Sequence, residues 1–170
     1  AKKGSIFIPP FDHIDVVLGQ GTVGLEVLDQ LDGVDSILVA IGGGGLAAGV
    51  AVAAKLKAAS QGRKIKVIGV QSANTASYIP SLKAGKPVRI EAKPTIADGI
   101  AVSKPGEIPF ELIKKYIDKV VTVSDDDIAK AIVALMERSK LVVEPAGAVG
   151  VAALMTGAFK PKGRTVVVLS

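Results

Sequence analysis

The sequence has no cysteine, no tryptophan and a single histidine, His13, among its 170 residues. Without cysteine there is no disulfide, no zinc–thiolate site and no thiol nucleophile. One histidine rules out a His-rich metal cluster and most triad chemistry. Aromatic residues make up only 4% of the chain, too few for the stacking platforms that single-stranded nucleic acids require. The net charge is +5 and the pI lies near 9.4, but the cations occur in ones and twos, so no nucleic-acid partner is expected. Long hydrophobic runs are lacking as well. The longest, around Gly45–Ala54 and Pro145–Phe159, fall short of the ~20 residues that span a bilayer. No basic-then-apolar segment opens the chain. Neither a membrane partner nor export is expected, and the location implied is cytoplasmic.

What is present is apolar. Hydrophobic residues make up 49% and charged residues 22%, with a mean hydropathy of +0.45. A parallel sheet with both faces covered by helices explains such a value, because its strands are apolar on both sides. Ser36–Ile41, Ile65–Val70, Lys119–Val123 and Thr165–Leu169 read as strands. Thr22–Leu31, Leu46–Ala59 and Ala146–Gly157 read as helices. Another opens at Ser124, an N-cap followed by Asp125, Asp126 and Asp127, and is expected to run to about Ser139. Ser81-Leu-Lys-Ala-Gly85 reads as a helix end with Gly85 as its C-cap. Strand alternating with helix predicts an α/β fold: a doubly wound, mostly parallel sheet with helices on both faces. The length suits one domain.

The strongest chemical signal is Ile41-Gly42-Gly43-Gly44-Gly45-Leu46-Ala47-Ala48-Gly49, between a predicted strand and a predicted helix. Four glycines leave no Cβ to block a close approach and can adopt positive φ. Their N–H groups, with the helix N-terminus, make a ready anion site, and phosphate is the natural occupant. The plainer alternative is a flexible turn or a close helix–sheet contact. Gly42, Gly44 and Ala47 can be placed on a dinucleotide fingerprint, but the next strand ends in Val70-Gln71-Ser72 without the carboxylate that would hold a ribose. No Gly-Lys-Ser/Thr follows the glycines, so a Walker loop fails too. A single terminal phosphate remains, as on pyridoxal phosphate or a sugar phosphate. His13, beside Asp12 and Asp15, reads as a surface or turn residue. Asp125–Asp127 reads as a helix-start charge run, since it lacks the ligand spacing of a calcium loop.

Gly-Gly-Gly-Gly-Leu-Ala-Ala-Gly at 42–49 resembles the phosphate loop of the serine/threonine dehydratase family, pyridoxal-phosphate enzymes of fold type II. The likeness continues through Ile8-Pro-Pro-Phe-Asp12, Gly19-Gln-Gly-Thr-Val-Gly24, Thr95-Ile-Ala-Asp-Gly99, Glu144-Pro-Ala-Gly147 and Val166-Val-Val-Leu-Ser170. Within that family the threonine-dehydrating type is nearest. The resemblance implies pyridoxal 5'-phosphate as cofactor, its phosphate held by Gly42, Gly43, Gly44, Gly45 and Leu46. It implies that Ser170 presents its hydroxyl to the pyridine nitrogen, and that Asp98, Gly99 and Glu144 lie near the cofactor face. It further implies conversion of L-threonine to 2-oxobutanoate and ammonia, as in isoleucine biosynthesis, by a dimer or tetramer of like chains. The alternatives are a serine racemase or serine dehydratase relative, and a non-catalytic phosphate-binding α/β module. Racemases of this family carry carboxylates for a divalent metal where this chain has Gln71 and Ser77, so no metal site is expected. The family's lysine lies in a Ser-Phe-Lys-x-Arg-like motif; the only similar stretch here is the helix end at Ser81–Gly85. Residues 1–170 are therefore expected to be part of the large cofactor domain, without the lysine-bearing segment or the small domain. On that expectation no catalytic residue is assigned, and the piece is inactive alone.

Overall fold

Four short β runs assemble into one all-parallel sheet. They are β1 (Val34–Ala40), β2 (Lys66–Ser72), β3 (Lys119–Val123) and β4 (Arg164–Val167), in the order β3-β2-β1-β4. The structure, a computed structural model, describes residue 4 and residues 6–170. Because side chains alternate along a strand, Ile37, Val39 and Val67 enter one apolar cluster, whereas Leu38, Ala40, Ile68 and Val70 enter a second on the opposite face. The first cluster is closed by α2 (Gly45–Ser60), α3 (Tyr78–Ala84) and α4 (Glu107–Tyr116), with α1 (Ile14–Gln30) packed on α2. The second is closed by α5 (Asp125–Ala134) and α6 (Pro145–Met155). This is the doubly wound α/β sheet expected. The chain steps from β1 to β2 to β3, then returns to place β4 on the far side of β1. That reversal makes the gap beyond the carboxyl ends of β1 and β4 the topological switch point, where ligands of open α/β sheets bind.

Local chemistry explains where the elements differ from expectation. Helix α1 starts at Ile14, eight residues before the predicted Thr22. His13 is its N-cap, with Nδ1 accepting a hydrogen bond from the Asp15 amide at 3.2 Å. Glycines that weaken the helical pattern serve here as a contact surface. A Cβ on Gly24 would lie 2.7 Å from the Val50 carbonyl, and one on Gly49 would strike the Val17 carbonyl. At Ser124 the hydroxyl accepts from the Asp127 amide while the Asp127 carboxylate accepts from the Ser124 amide, a complete capping box. Beyond Ala134 the winding widens into a π turn, Leu135–Ser139, which ends at Lys140 with φ 60°. Gly85 caps α3 as read, at φ 72° with its amide bonded to the Leu82 carbonyl. Helix α4 and the single-turn 3₁₀ segments Ala73–Thr75 and Asp98–Ile100 were not anticipated. The strand ends shift by one or two residues, with β1 beginning at Val34 and β2 running through to Ser72.

Candidate functional site

The glycine run connects β1 to α2 at the switch point. The first amide of this region to find a backbone acceptor is that of Ala48, which donates to Gly44 O at 2.8 Å. Among the described residues, none of the amides from Gly42 to Ala47 donates to a protein acceptor. Gly43, Gly44, Gly45 and Ala47 are buried. A buried donor left unpaired costs about 1–3 kcal/mol. A run of such donors calls for an acceptor with several oxygens, and the positive end of the α2 dipole favours an anionic one. The residues present therefore fit a phosphate.

Four neighbours hold the loop in this shape. Tyr78 is fully buried, and its hydroxyl donates to Gly43 O at 3.1 Å. The same carbonyl accepts from the Gly106 amide at 3.0 Å. Gly44 has φ 105°, and a Cβ there would strike the Tyr78 hydroxyl. Gln71 is also buried; its Nε2 donates to Ile41 O at 3.3 Å and its Oε1 accepts from the Tyr78 amide at 3.0 Å. On the other side, the Phe11 ring occupies the space a Gly43 Cβ would need, and Phe11 backbone lies 3.1 Å from the Cβ position of Gly45. Asp12 anchors that segment by accepting from the Glu107 and Ile108 amides, at 2.9 and 3.0 Å, at the start of α4. Burial pushes the Tyr78 phenol well above its ordinary pKa, and the nearby Asp12 charge pushes it the same way. Tyr78 therefore stays a protonated donor throughout the neutral range.

A cavity of about 240 Å³ opens onto the loop. Gly42, Gly43, Gly44, Gly45, Leu46 and Ser170 all line it, so residues from the ends of β1 and β4 meet there as the switch point requires. Gly99 and Glu144 line it too. The Glu144 carboxylate lies 3.0 Å from where a Gly99 Cβ would sit, so the bare Gly99 backbone makes room for it. Asp98 does not line the cavity; its carboxylate accepts from the Gly99 amide at 3.0 Å. Gln20, Ile100 and Val102 also line it, although nothing in their residue type announces the role. Gln71 and Ser77 bring no carboxylate to the end of β2. Both are buried, and among the described residues Ser77 Oγ has no partner. No helix is long and apolar enough to cross a membrane among the described residues.

The chain matches the family described as pyridoxal-phosphate dependent enzyme over residues 1–170. It is 49% identical over 168 residues to an L-threonine ammonia-lyase of Thermotoga maritima, covering 99% of this chain and 41% of that protein. It is 45% identical over 155 residues to a catabolic L-threonine dehydratase of Escherichia coli K12, covering 91% of this chain and 46% of that protein. The chain thus spans less than half the length of these curated relatives. Among solved structures, a threonine deaminase from the source abbreviated T.th. superposes with a TM-score of 0.92 at 36% identity, covering 99% of this chain and 62% of that one. Maize serine racemase superposes with a TM-score of 0.89 at 32% identity, covering 98% and 50%.

Proposed function

Because the chain belongs to the family of pyridoxal-phosphate dependent enzymes, we infer that it is the larger part of the cofactor domain of a threonine dehydratase. The observation that carries the reading is the run of unpaired amides from Gly42 to Ala47 at the β1–β4 switch point. In this reading Gly42, Gly43, Gly44, Gly45 and Leu46 hold the cofactor phosphate through backbone N–H groups. The α2 dipole adds to their attraction, while Phe11 keeps water off one side of the loop. Ser170 offers a neutral hydroxyl to the ring nitrogen, which leaves that nitrogen unprotonated where a carboxylate would hold a proton on it. Bound pyridoxal phosphate supplies an electron sink for negative charge at the Cα of an amino acid. The substrate is L-threonine and the products are 2-oxobutanoate and ammonia. The lysine that anchors the cofactor and the small substrate-binding domain belong to other parts of the whole protein, a homo-oligomer in the cytoplasm serving isoleucine formation.

Two of the curated relatives, a threonine ammonia-lyase and a threonine dehydratase by name, support this substrate. Gln71 supports it over a metal-assisted racemase: its amide is already committed to Ile41 O and to the Tyr78 amide, and it carries no charge for a hard cation. The test is the full-length protein loaded with pyridoxal phosphate and supplied separately with L-threonine and L-serine. Formation of 2-oxobutanoate from threonine without added divalent metal supports the reading. Release of D-serine as the main product, or metal-dependent turnover, sinks it. Ser170→Asp should cut threonine turnover at least ~10-fold through the ring-nitrogen proton, while phosphate-dependent retention of the cofactor persists.

A further inference from the structure

The largest cavity among the described residues, about 530 Å³, lies at the opposite end of the sheet from the glycine loop. It is walled by the amino ends of β1 and β2, by Asp118 just before β3, and by the turn that leads into β4. Ala59, Ile65 and Phe159 give it apolar lining. Around that lining stand six cations and two carboxylates. Both carboxylates are committed. Asp118 accepts from Lys55 Nζ at 2.8 Å and from the Val67 amide at 2.7 Å, and Asp35 accepts from the Arg164 amide at 2.7 Å. Two of the cations are also pinned, Lys55 to Ile65 O at 2.6 Å and Arg63 to Val34 O at 3.0 Å.

The other four, Lys64, Lys66, Lys160 and Lys162, are exposed. Among the described residues none of them has a carboxylate within ion-pair distance. Like charges gathered on one concave wall repel each other and focus a positive potential into it. The carboxyl end of α2 brings about half a negative charge to the same wall, far less than the free lysines oppose to it. The cavity is too large for a lone inorganic ion and too charged for an apolar guest. We propose that this cleft binds an organic phosphate carrying at least two negative charges. Lys64, Lys66, Lys160 and Lys162 hold the phosphates, and the apolar part lies on Phe159. The site is separate from the glycine loop and does not depend on the reaction assigned there.

The experiment uses the full-length protein with its cofactor bound, so that the glycine loop is already filled, and titrates inorganic pyrophosphate by calorimetry at low and at physiological salt. One equivalent should bind, more tightly at low salt. Lys160→Gln with Lys162→Gln should weaken it about tenfold or more, the scale of losing a charge-assisted hydrogen bond. Lys86→Gln with Lys93→Gln, which removes the same charge outside the cleft, should leave it unchanged. Absence of binding, several weak equivalents, or equal weakening by the two double variants would each overturn the proposal.

Discussion

Gly44 is constrained twice, by its backbone and by its neighbour. A φ of 105° is unfavourable for any residue with a Cβ, and that Cβ would strike the Tyr78 hydroxyl. The first constraint costs about 1–2 kcal/mol and an overpacked contact about 1–3 kcal/mol. Gly44→Ala should therefore lose about 2–5 kcal/mol in urea unfolding, with weaker retention of the cofactor phosphate. Tyr78→Phe is gentler, because the Gly106 amide still serves the Gly43 carbonyl; it should cost about 1 kcal/mol. Its signature is in pH. The Tyr78 pKa is raised on folding, so its contribution to stability is complete below the unfolded value of about 10 and is lost as the pH climbs through it. Unfolding followed from about pH 9 to about pH 11 should show the parent losing stability faster than Tyr78→Phe; parallel curves would refute the assignment. The glycines and Ser170 were legible in the sequence because a glycine run between strand and helix is strong local punctuation. Tyr78 and Asp12 were not, since their partners lie 35 and 95 positions away and nothing local marks an ordinary tyrosine or aspartate for such a contact.

Among the helices, α1 and α2 meet backbone to backbone, and the glycines of α1 divide by the side they face. Gly24 lies against the Val50 carbonyl, whereas a Cβ on Gly19 would meet nothing within 4 Å. Gly24→Ala should destabilise by about 1–3 kcal/mol through overpacking. Gly19→Ala should stabilise by about 0.5–1 kcal/mol, because alanine gives up less backbone freedom in a helix. Thermal melts of the pair should shift in opposite directions; a shift of the same sign would show that the contact is not made this way. This division also explains why the start of α1 was misread. Three glycines in its first eleven residues suppress the periodic signal, and only packing against a second helix compensates them. Helix α5 was easier, because its capping residues Ser124 and Asp127 are neighbours in sequence and need no distant partner.

Across the whole molecule, the parallel sheet was legible because each strand is apolar on both faces. The strand order was not. It depends on α5 and α6 covering the face opposite α2, which sends β4 to the far side of β1, and no local pattern encodes a choice of face. The winding gives the sheet two ends of different character, and α2 reaches both. Its amino end forms the glycine loop, while Lys55 and Ala59 near its carboxyl end line the basic cleft. Sixteen residues of helix span about 24 Å, roughly three screening lengths at physiological ionic strength. Charges placed at the two ends are therefore electrically silent to one another in the cell. Filling the loop with cofactor should leave pyrophosphate affinity at the cleft unchanged at physiological salt. A difference between cofactor-free and cofactor-bound protein should emerge only as salt is removed. If it persists at high salt, the message travels through the rod itself, as a shift of the helix along its axis.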